Sequence, residues 1–199
     1  VRHGESESNT LGVFCNRPPG HPLTEQGLLQ ARQLAERLRE ERITAIYTSP
    51  LQRAVQTAAT LAEAYGLTYD VTDALREYDM GMWEGSSDPA AWEQNRTHFM
   101  QWTIFKQWNQ RIPGGESFAD VRRRLEPFIN SLVAEQRDTD ARVALVGHGG
   151  IYLAALPMLL NVRFRWALGH PLGNCDVVVA EPDERGLRCI TWCGIEPPA

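Results

Sequence analysis

Residues 141–150 read Ala-Arg-Val-Ala-Leu-Val-Gly-His-Gly-Gly. The first six are apolar apart from Arg142, so they predict a buried strand. His148-Gly149-Gly150 follows at once and opens the apolar stretch 151–160, which predicts a helix. A buried strand that turns directly into a helix is typical of α/β folds.

Strands and helices alternate along the rest of the chain. The predicted elements are a helix over 25–41 capped by Thr24, a strand over 43–48, a helix from Ser49-Pro50 to Gly66, a strand over 67–71, a helix over 117–136 capped by Ser117, and strands over 177–180 and 187–191. This alternation predicts a three-layer α/β/α sandwich with a mixed, mostly parallel sheet. Residues 1–199 are expected to form one domain.

Residues 86–116 interrupt the alternation. Aromatic side chains stand among polar ones there at roughly helical spacing, at Trp92, Phe99, Trp102, Phe105 and Trp108. The segment is too short for a core of its own. It is therefore predicted to be a helical cap insertion that packs on the main domain.

Composition excludes several classes of protein. The chain has 199 residues, of which 43% are hydrophobic and 23% are charged, as in ordinary globular domains. A net charge of −5 disfavours a nucleic-acid partner. No apolar run approaches the roughly 18 residues of a membrane span, so no membrane partner is expected. The four cysteines have no C-x-x-C spacing and are interpreted as free thiols of a cytoplasmic protein.

Residues 1–4, Val-Arg-His-Gly, repeat the strand-to-helix turn that contains His148. Ligands of α/β sheets bind beyond the carboxyl ends of the strands, where helix N-termini favour anions. Arg53 follows a third strand end by one helical turn. We therefore expect Arg2, His3, Arg53 and His148 to converge on one anion.

Phosphate is the anion that suits these side chains. Arginine presents forked donors that match phosphoryl oxygens. A neutral histidine can attack phosphorus and form a covalent intermediate. A carboxylic acid with a raised pKa would then protonate the leaving oxygen.

At this point the chain resembles the histidine phosphatase superfamily, the phosphoglycerate-mutase-like proteins. Six blocks carry the resemblance in order: Arg2-His3-Gly4-Glu5 with Asn9; Pro22-Leu23-Thr24 with Gly27 and Gln30-Ala31; Ser49-Pro50-Leu51 with Arg53-Ala54 and Gln56-Thr57-Ala58; Leu75-Arg76-Glu77 with Gly81 and Trp83-Glu84-Gly85; Pro113-Gly114-Gly115-Glu116-Ser117; and Gly147-His148-Gly149-Gly150. A lone Arg-His-Gly would be weak evidence, whereas six ordered blocks are specific.

The resemblance implies a role for each matching residue. His3 would be the nucleophile that becomes phosphohistidine, and Glu77 would be the proton donor and later the base, with Glu84 ranked second. Substrate binding would fall to Arg2, Asn9, Arg53, His148 and Gly149. No metal and no cofactor are implied. Nearby positive charge would lower the pKa of His3 and keep it neutral.

The form of the blocks favours the phosphatase branch. Gly149 follows the second histidine, whereas acid phosphatases and phytases have aspartate there. The insertion is shorter than in phosphoglycerate mutases, and the Leu-Arg-Glu and Trp-Glu-Gly forms resemble broad phosphatases and ribazole-phosphate phosphatases. The expected activity is therefore hydrolysis of a small phosphorylated metabolite.

Three alternatives stay open. A phosphoglycerate mutase would need a second anion site, for which Arg96, Lys106 and Arg111 are candidates. A catalytically silent binder of phosphorylated ligands would keep the clamp without the chemistry. A metal-dependent hydrolase would use His3, His148 and a carboxylate.

Some features fit the resemblance less well or concern other surfaces. The family has a strand before Arg-His-Gly, so we expect roughly five to eight further apolar residues upstream of Val1 in the natural protein. Residues 18–21, Pro-Pro-Gly-His, also depart from the family pattern. His21 and His170 are weak candidates for substrate contact, and an exposed edge at 187–191 would allow a homodimer.

Overall fold

A computed structural model of the chain describes residues 1–136, 139–184 and 186–198. Its elements are α1 (Glu7–Leu11), α2 (Glu25–Arg37), β1 (Ile43–Thr48), α3 (Gln52–Tyr65), β2 (Asp70–Val71), α4 (Pro89–Thr103), α5 (Phe118–Gln136), β3 (Arg142–Val146), α6 (Gly149–Leu159), α7 (Phe164–Leu168), β4 (Val178–Asp183) and β5 (Gly186–Trp192), with 3₁₀ turns at Asp73–Leu75 and Gly81–Trp83.

Three strands form a parallel sheet in the order β2-β1-β3. The chain start continues this sheet, because the Gly147 N–H donates to Val1 O (2.9 Å) and the His3 N–H donates to Gly147 O (3.0 Å). On its other side, the Arg2 N–H donates to Asp176 O at 3.0 Å. Residues 1–3 therefore lie centrally, between the end of β3 and residue 176.

Helices cover both faces of the sheet. Ile46 and Val146 pack into a core cluster with residues of α2 and α3. Tyr47 and Leu145, one position away on the same strands, pack into a second cluster with residues of α5 and α6. Alternation of side chains across the strands thus separates two cores, and the predicted α/β/α sandwich is confirmed.

The final two strands differ from the prediction in detail. β4 and β5 pair with each other antiparallel and form a separate two-stranded sheet. Within the described residues, the three-stranded sheet is purely parallel. The antiparallel strands are in the separate sheet of β4 and β5, and not in one mixed sheet as predicted. The segment 187–191, expected to offer a dimer edge, lies within β5.

The helix caps predicted from the sequence are found at two helices but not at a third. Thr24 Oγ1 accepts the Gly27 N–H (3.0 Å), and Ser117 exchanges hydrogen bonds with Asp120 at the start of α5. The prediction that Ser49-Pro50 caps α3 is wrong, because the N-cap is Leu51. The Ser49 hydroxyl is used elsewhere, as described below.

Element lengths also differ at some ends. The helix predicted over 25–41 ends at Arg37, and the strand predicted over 67–71 is reduced to the two residues of β2. β2 is exposed at both positions, so its pairing rests on backbone hydrogen bonds alone.

The inserted segment forms α4 and packs on the main core. Trp102 has no exposed surface, contacts Tyr78 edge-to-face with the ring centroids 5.2 Å apart, and donates its indole N–H to Gln110 O. Trp92, in contrast, is 42% exposed and stacks on Phe14. All four cysteines are free, and two of them are buried. No described helix is long and apolar enough to cross a membrane.

Candidate active site

His3 is buried and held in one tautomer by the backbone carbonyl of the next residue. Its Nδ1 lies 2.6 Å from Gly4 O, an acceptor, so Nδ1 carries the proton. Nε2 therefore keeps its lone pair. The ring orientation follows from residues 1–4, whose backbone is fixed by Gly147 on one side and by Thr57, which accepts the Gly4 N–H at 3.1 Å, on the other.

Arg53 reaches His3 from the first turn of α3. Its Nε donates to His3 Nε2 at 3.0 Å, which is consistent with a lone pair on that nitrogen. The other guanidinium nitrogens donate to Cys15 O (2.6 Å) and Asn16 Oδ1 (3.4 Å). A buried arginine with three separate acceptors has a fixed orientation, and it places positive charge against the reactive nitrogen.

His148 lies at the N-terminus of α6 and faces His3, with the ring centroids 5.0 Å apart. Its Nε2 is 2.7 Å from Ser49 Oγ. Its Nδ1 is buried and has no hydrogen-bond partner among the described residues. A buried polar atom without a partner is costly unless a ligand uses it.

Arg2 supplies a second buried nitrogen that has no hydrogen-bond partner among the described residues. One of its terminal nitrogens donates to Leu172 O, whereas Nε is buried without a partner in the described part of the chain. Gly149 allows this placement, because a Cβ there would lie 3.3 Å from Arg2 Nε. Arg2 Nε and His148 Nδ1 are thus free to bind an anion beside His3.

Burial and neighbouring cations keep both histidines neutral. Burial lowers the pKa of His3 well below its ordinary value, and the positive charges of Arg53 and Arg2 lower it further. Burial also lowers the pKa of His148, again with a contribution from Arg53. At neutral pH, His3 is therefore the uncharged form that can act as a nucleophile.

Glu77 is buried at the N-terminus of α6. Its carboxylate accepts N–H groups from Gly150 (2.8 Å), Ile151 (2.6 Å) and Tyr78 (3.2 Å). Burial raises the pKa of Glu77, although these N–H groups and Arg53 act in the opposite direction. A Cβ on residue 150 would lie 2.7 Å from Tyr78 Cε1 and 2.8 Å from Glu77 Oε2, so a larger residue than glycine would displace these side chains.

Residues 1–194 match the family model described as histidine phosphatase superfamily (branch 1). The chain belongs to the histidine phosphatase superfamily. The prediction from the six sequence blocks is thereby confirmed, as is the predicted enzyme class, phosphoric monoester hydrolase, at the level of the family.

Several members of the superfamily are similar over most of their length. Phosphoserine phosphatase 1 of Hydrogenobacter thermophilus is 33% identical over 183 residues, which are 91% of this chain and 85% of that protein. A protein named probable phosphoglycerate mutase GpmB, from Yersinia pestis, is 34% identical over 96% of this chain and 87% of its own. The solved structure of a mycobacterial glucosyl-3-phosphoglycerate phosphatase with VO3 has a TM-score of 0.75 and 29% identity, covering 96% and 95% of the two chains.

Glu84, the second-ranked candidate for the proton donor, binds the loop that contains Asn16 and Arg17. Its Oε1 accepts the N–H groups of Asn16 (2.8 Å) and Arg17 (3.1 Å). Asn16 in turn binds Arg53 and donates to Tyr78 O at 2.9 Å. Glu84 therefore holds the loop that orients Arg53, whereas the carboxylate at the start of α6 belongs to Glu77.

Asn9, predicted to lie at the pocket edge, is exposed, and its side chain caps the start of α1. Its Oδ1 accepts from the Ser6 backbone N–H (3.1 Å) and from Asn174 Nδ2 (3.3 Å). Asn174 also donates to His3 O at 3.1 Å. Asn174 is a site residue that sequence reasoning missed, because nothing near it in the chain signals chemistry.

The candidates for a second anion site have other partners. Arg96 pairs with Glu93 (2.8 Å), and Arg111 pairs with Asp120 (2.6 Å). Lys106 lies just beyond α4 and is exposed. Two of the three cations are thus already neutralised by carboxylates of the same chain.

The two weaker histidine candidates contact other residues. His21 Nδ1 lies 3.9 Å from Glu7 Oε2. His170 Nδ1 donates to Trp166 O (2.9 Å), and its ring stacks on Trp166. Within residues 1–136, 139–184 and 186–198, no cluster of three or more His, Cys, Asp or Glu side chains could hold a metal ion. The metal-dependent alternative therefore has no ligand group there.

Proposed function

We propose that this chain is a metal-independent phosphatase that hydrolyses a small phosphorylated metabolite through a phosphohistidine at His3. The observation that carries the proposal is the state of His3. Gly4 O fixes the proton on Nδ1, and the Nε2 lone pair accepts from Arg53 Nε beside the ring of His148.

In the first step, His3 Nε2 attacks phosphorus and the bond from phosphorus to the ester oxygen breaks. Arg53 Nε, which binds His3 Nε2 in the free enzyme, shifts to a phosphoryl oxygen. The protonated carboxyl of Glu77 gives its proton to the leaving oxygen. The raised pKa of Glu77 supports this role, because more of the carboxyl is protonated at a given pH.

In the second step, water attacks the phosphorus of phosphohistidine. The carboxylate of Glu77 accepts a proton from this water, and the bond between phosphorus and His3 Nε2 breaks. Inorganic phosphate leaves, and both residues return to their starting protonation states. The reaction needs no external co-reactant besides water.

The relatives support hydrolysis of small phosphomonoesters. The names of two of them specify phosphoserine and glucosyl-3-phosphoglycerate as the compounds dephosphorylated. The cytoplasmic location remains a prediction that the four free cysteines support. The homodimer through 187–191 also remains a prediction.

Phosphoglycerate mutase activity is the second candidate. It is favoured by the 34% identity to the protein named probable phosphoglycerate mutase GpmB. The pairing of Arg96 and Arg111 with carboxylates weighs against the second anion site that a mutase requires. A silent binder is disfavoured because it would need neither the proposed nucleophile, His3, nor the proposed proton donor, Glu77.

The test is steady-state phosphate release from a panel of phosphoserine, phosphoglycerates, sugar phosphates, nucleotides and p-nitrophenyl phosphate, with a chelator present. We expect release that resists the chelator and is lost in His3→Ala, with His170→Ala as the matched histidine control. Interconversion of phosphoglycerates without release would favour the mutase. Ligand binding without any turnover would favour the silent binder, and loss of release in chelator would favour a metal enzyme.

A further inference from the structure

Ser49 stands out among the buried polar residues that have no role in the proposed steps. It has no exposed surface and directly follows β1, in the sequence block that also contains Arg53. Its hydroxyl does not cap α3, whose N-cap is Leu51. It lies instead 2.7 Å from His148 Nε2.

The hydrogen bonds of Ser49 decide the direction of that contact. Ser49 Oγ accepts the Leu51 N–H at 3.2 Å, so one of its lone pairs is used. Among the described residues, His148 Nε2 is the acceptor recorded within hydrogen-bond distance of the hydroxyl. A fully buried hydroxyl without an acceptor would be costly, so the proton points to Nε2.

The consequence is a defined tautomer of His148. If Nε2 accepts a hydrogen bond, the single proton of a neutral imidazole is on Nδ1. Burial and the charge of Arg53 lower the pKa of His148, which supports the neutral form. Nδ1 is the buried atom without a partner beside His3. It is therefore presented as an N–H donor.

We propose that Ser49 is a positioning residue that holds His148 as the Nδ1–H tautomer, so that Nδ1–H donates to a phosphoryl oxygen bound at His3. The link to catalysis rests on the proposed function, whereas the tautomer itself does not. The opposite tautomer would present a lone pair to the anion and repel it. Ser49 thus makes the neutral His148 ring a hydrogen-bond donor of fixed orientation. It adds no positive charge that would stabilise the lone pair of His3 before the reaction.

The experiment uses the protein labelled with ¹⁵N in histidine and long-range ¹H–¹⁵N correlation spectra, with His148→Asn to assign the signals. In the wild type we expect a protonated-type shift at His148 Nδ1 and an unprotonated-type shift at Nε2. Ser49→Ala should give a mixture of tautomers, and Ser49→Thr, which keeps a hydroxyl, should restore the wild-type pattern. Thr48→Val is the matched control, since it removes an adjacent buried hydroxyl that donates to Ser49 O and not to His148.

Binding of vanadate provides the second readout. Ser49→Ala should bind it at least about tenfold more weakly, the effect of one hydrogen bond to a charged group, and Thr48→Val should bind it as the wild type does. An Nε2–H or doubly protonated His148 in the wild type would overturn the proposal without any variant. An Nδ1–H tautomer that persists in Ser49→Ala would overturn it too. The predicted tautomers in a protein that releases no phosphate would support the role of Ser49 and contradict the proposed function.

Discussion

The proton on His3 Nδ1 leaves the lone pair of the ring on Nε2, the nitrogen that we propose attacks phosphorus. At this residue scale, the sequence supplies the identity of each group but not its hydrogen-bond partners. His3, Arg53 and His148 could be predicted because they follow strand ends. Ser49 was given the wrong role, the cap of α3, and Asn174 was given none, because their contacts are with residues 99 and 171 positions away.

Replacement of Glu77 tests its role as proton donor. Glu77→Gln keeps an acceptor for the N–H groups of α6 but has no acidic proton. We expect turnover of alkyl phosphates to fall by roughly a hundredfold to ten-thousandfold. With p-nitrophenyl phosphate the first step alone, measured as the burst of p-nitrophenol, should lose much less, because this leaving group needs no proton. Glu84→Gln is the matched control and should retain most activity, and equal losses in both variants would contradict the assignment.

The pH dependence of kcat/KM follows from the two shifted groups. His3 must be neutral, and burial lowers its pKa, so activity is lost only as the pH falls well below the ordinary histidine range. Glu77 must be protonated in the first step, and burial raises its pKa, so activity declines as the pH rises through that value. The profile should therefore be a bell with its optimum on the acidic side. Glu77→Gln should lack the alkaline limb, and a profile that it leaves unchanged would argue against this assignment.

At the scale of elements, the loop 113–117 holds the segment that carries Glu77. Glu116 accepts the Asp79 N–H (2.9 Å) and binds Arg124 (3.0 Å), whose guanidinium also donates to Ala74 O. A Cβ on Gly115 would lie 2.3 Å from Asp79 O. This loop and the segment that carries Glu77 are therefore packed backbone against backbone.

Gly115→Ala tests this packing. The clash with Asp79 O should lower the free energy of unfolding by about 1–3 kcal/mol and displace Glu77, which reduces kcat. Gly169→Ala is the control, because the nearest atom to its Cβ would be 3.3 Å away. Urea denaturation and phosphate release measure the two effects. A Gly115→Ala protein with unchanged stability and activity would show that the contact is unimportant.

Elements with strong local signals were predicted best. The predicted strand 43–48 has the same bounds as β1, because the apolar run in the sequence ends at a buried turn. Two other predicted helix boundaries rest on local chemistry: the side-chain cap of Thr24 begins α2, and the left-handed Gly66, with φ of 63°, ends α3. β2 could not be bounded, because its pairing depends on the neighbouring strand and not on its own side chains.

At the scale of the whole molecule, the inserted helix shares the core of the main domain. Trp102 contacts Tyr78, the residue after Glu77, and packs near Phe118 of α5. The sequence predicted a helical insertion from aromatic spacing, but it could not tell which aromatic residue is buried. Trp92 and Trp102 look equivalent in the sequence, whereas one is 42% exposed and the other is not exposed at all.

Trp102→Ala tests whether the insertion and the main domain unfold together. Removal of this buried side chain should cost about 3–5 kcal/mol, and unfolding should remain a single transition. Trp92→Ala should cost only about 1 kcal/mol, mainly from its stacking on Phe14. Circular dichroism and tryptophan fluorescence in urea should give coincident curves. Two separate transitions, with activity lost in the first, would show an independent cap.

The phosphoenzyme itself tests the central claim most directly. The protein is mixed with its best substrate from the panel, in chelator, and quenched in alkali within one turnover, and the phosphorylated peptide is located by mass spectrometry. We predict phosphate on His3, absent from His3→Ala, and accumulated in Glu77→Gln with p-nitrophenyl phosphate because water is no longer activated. Phosphate on another residue, or phosphate release by His3→Ala at the wild-type rate, would contradict the account.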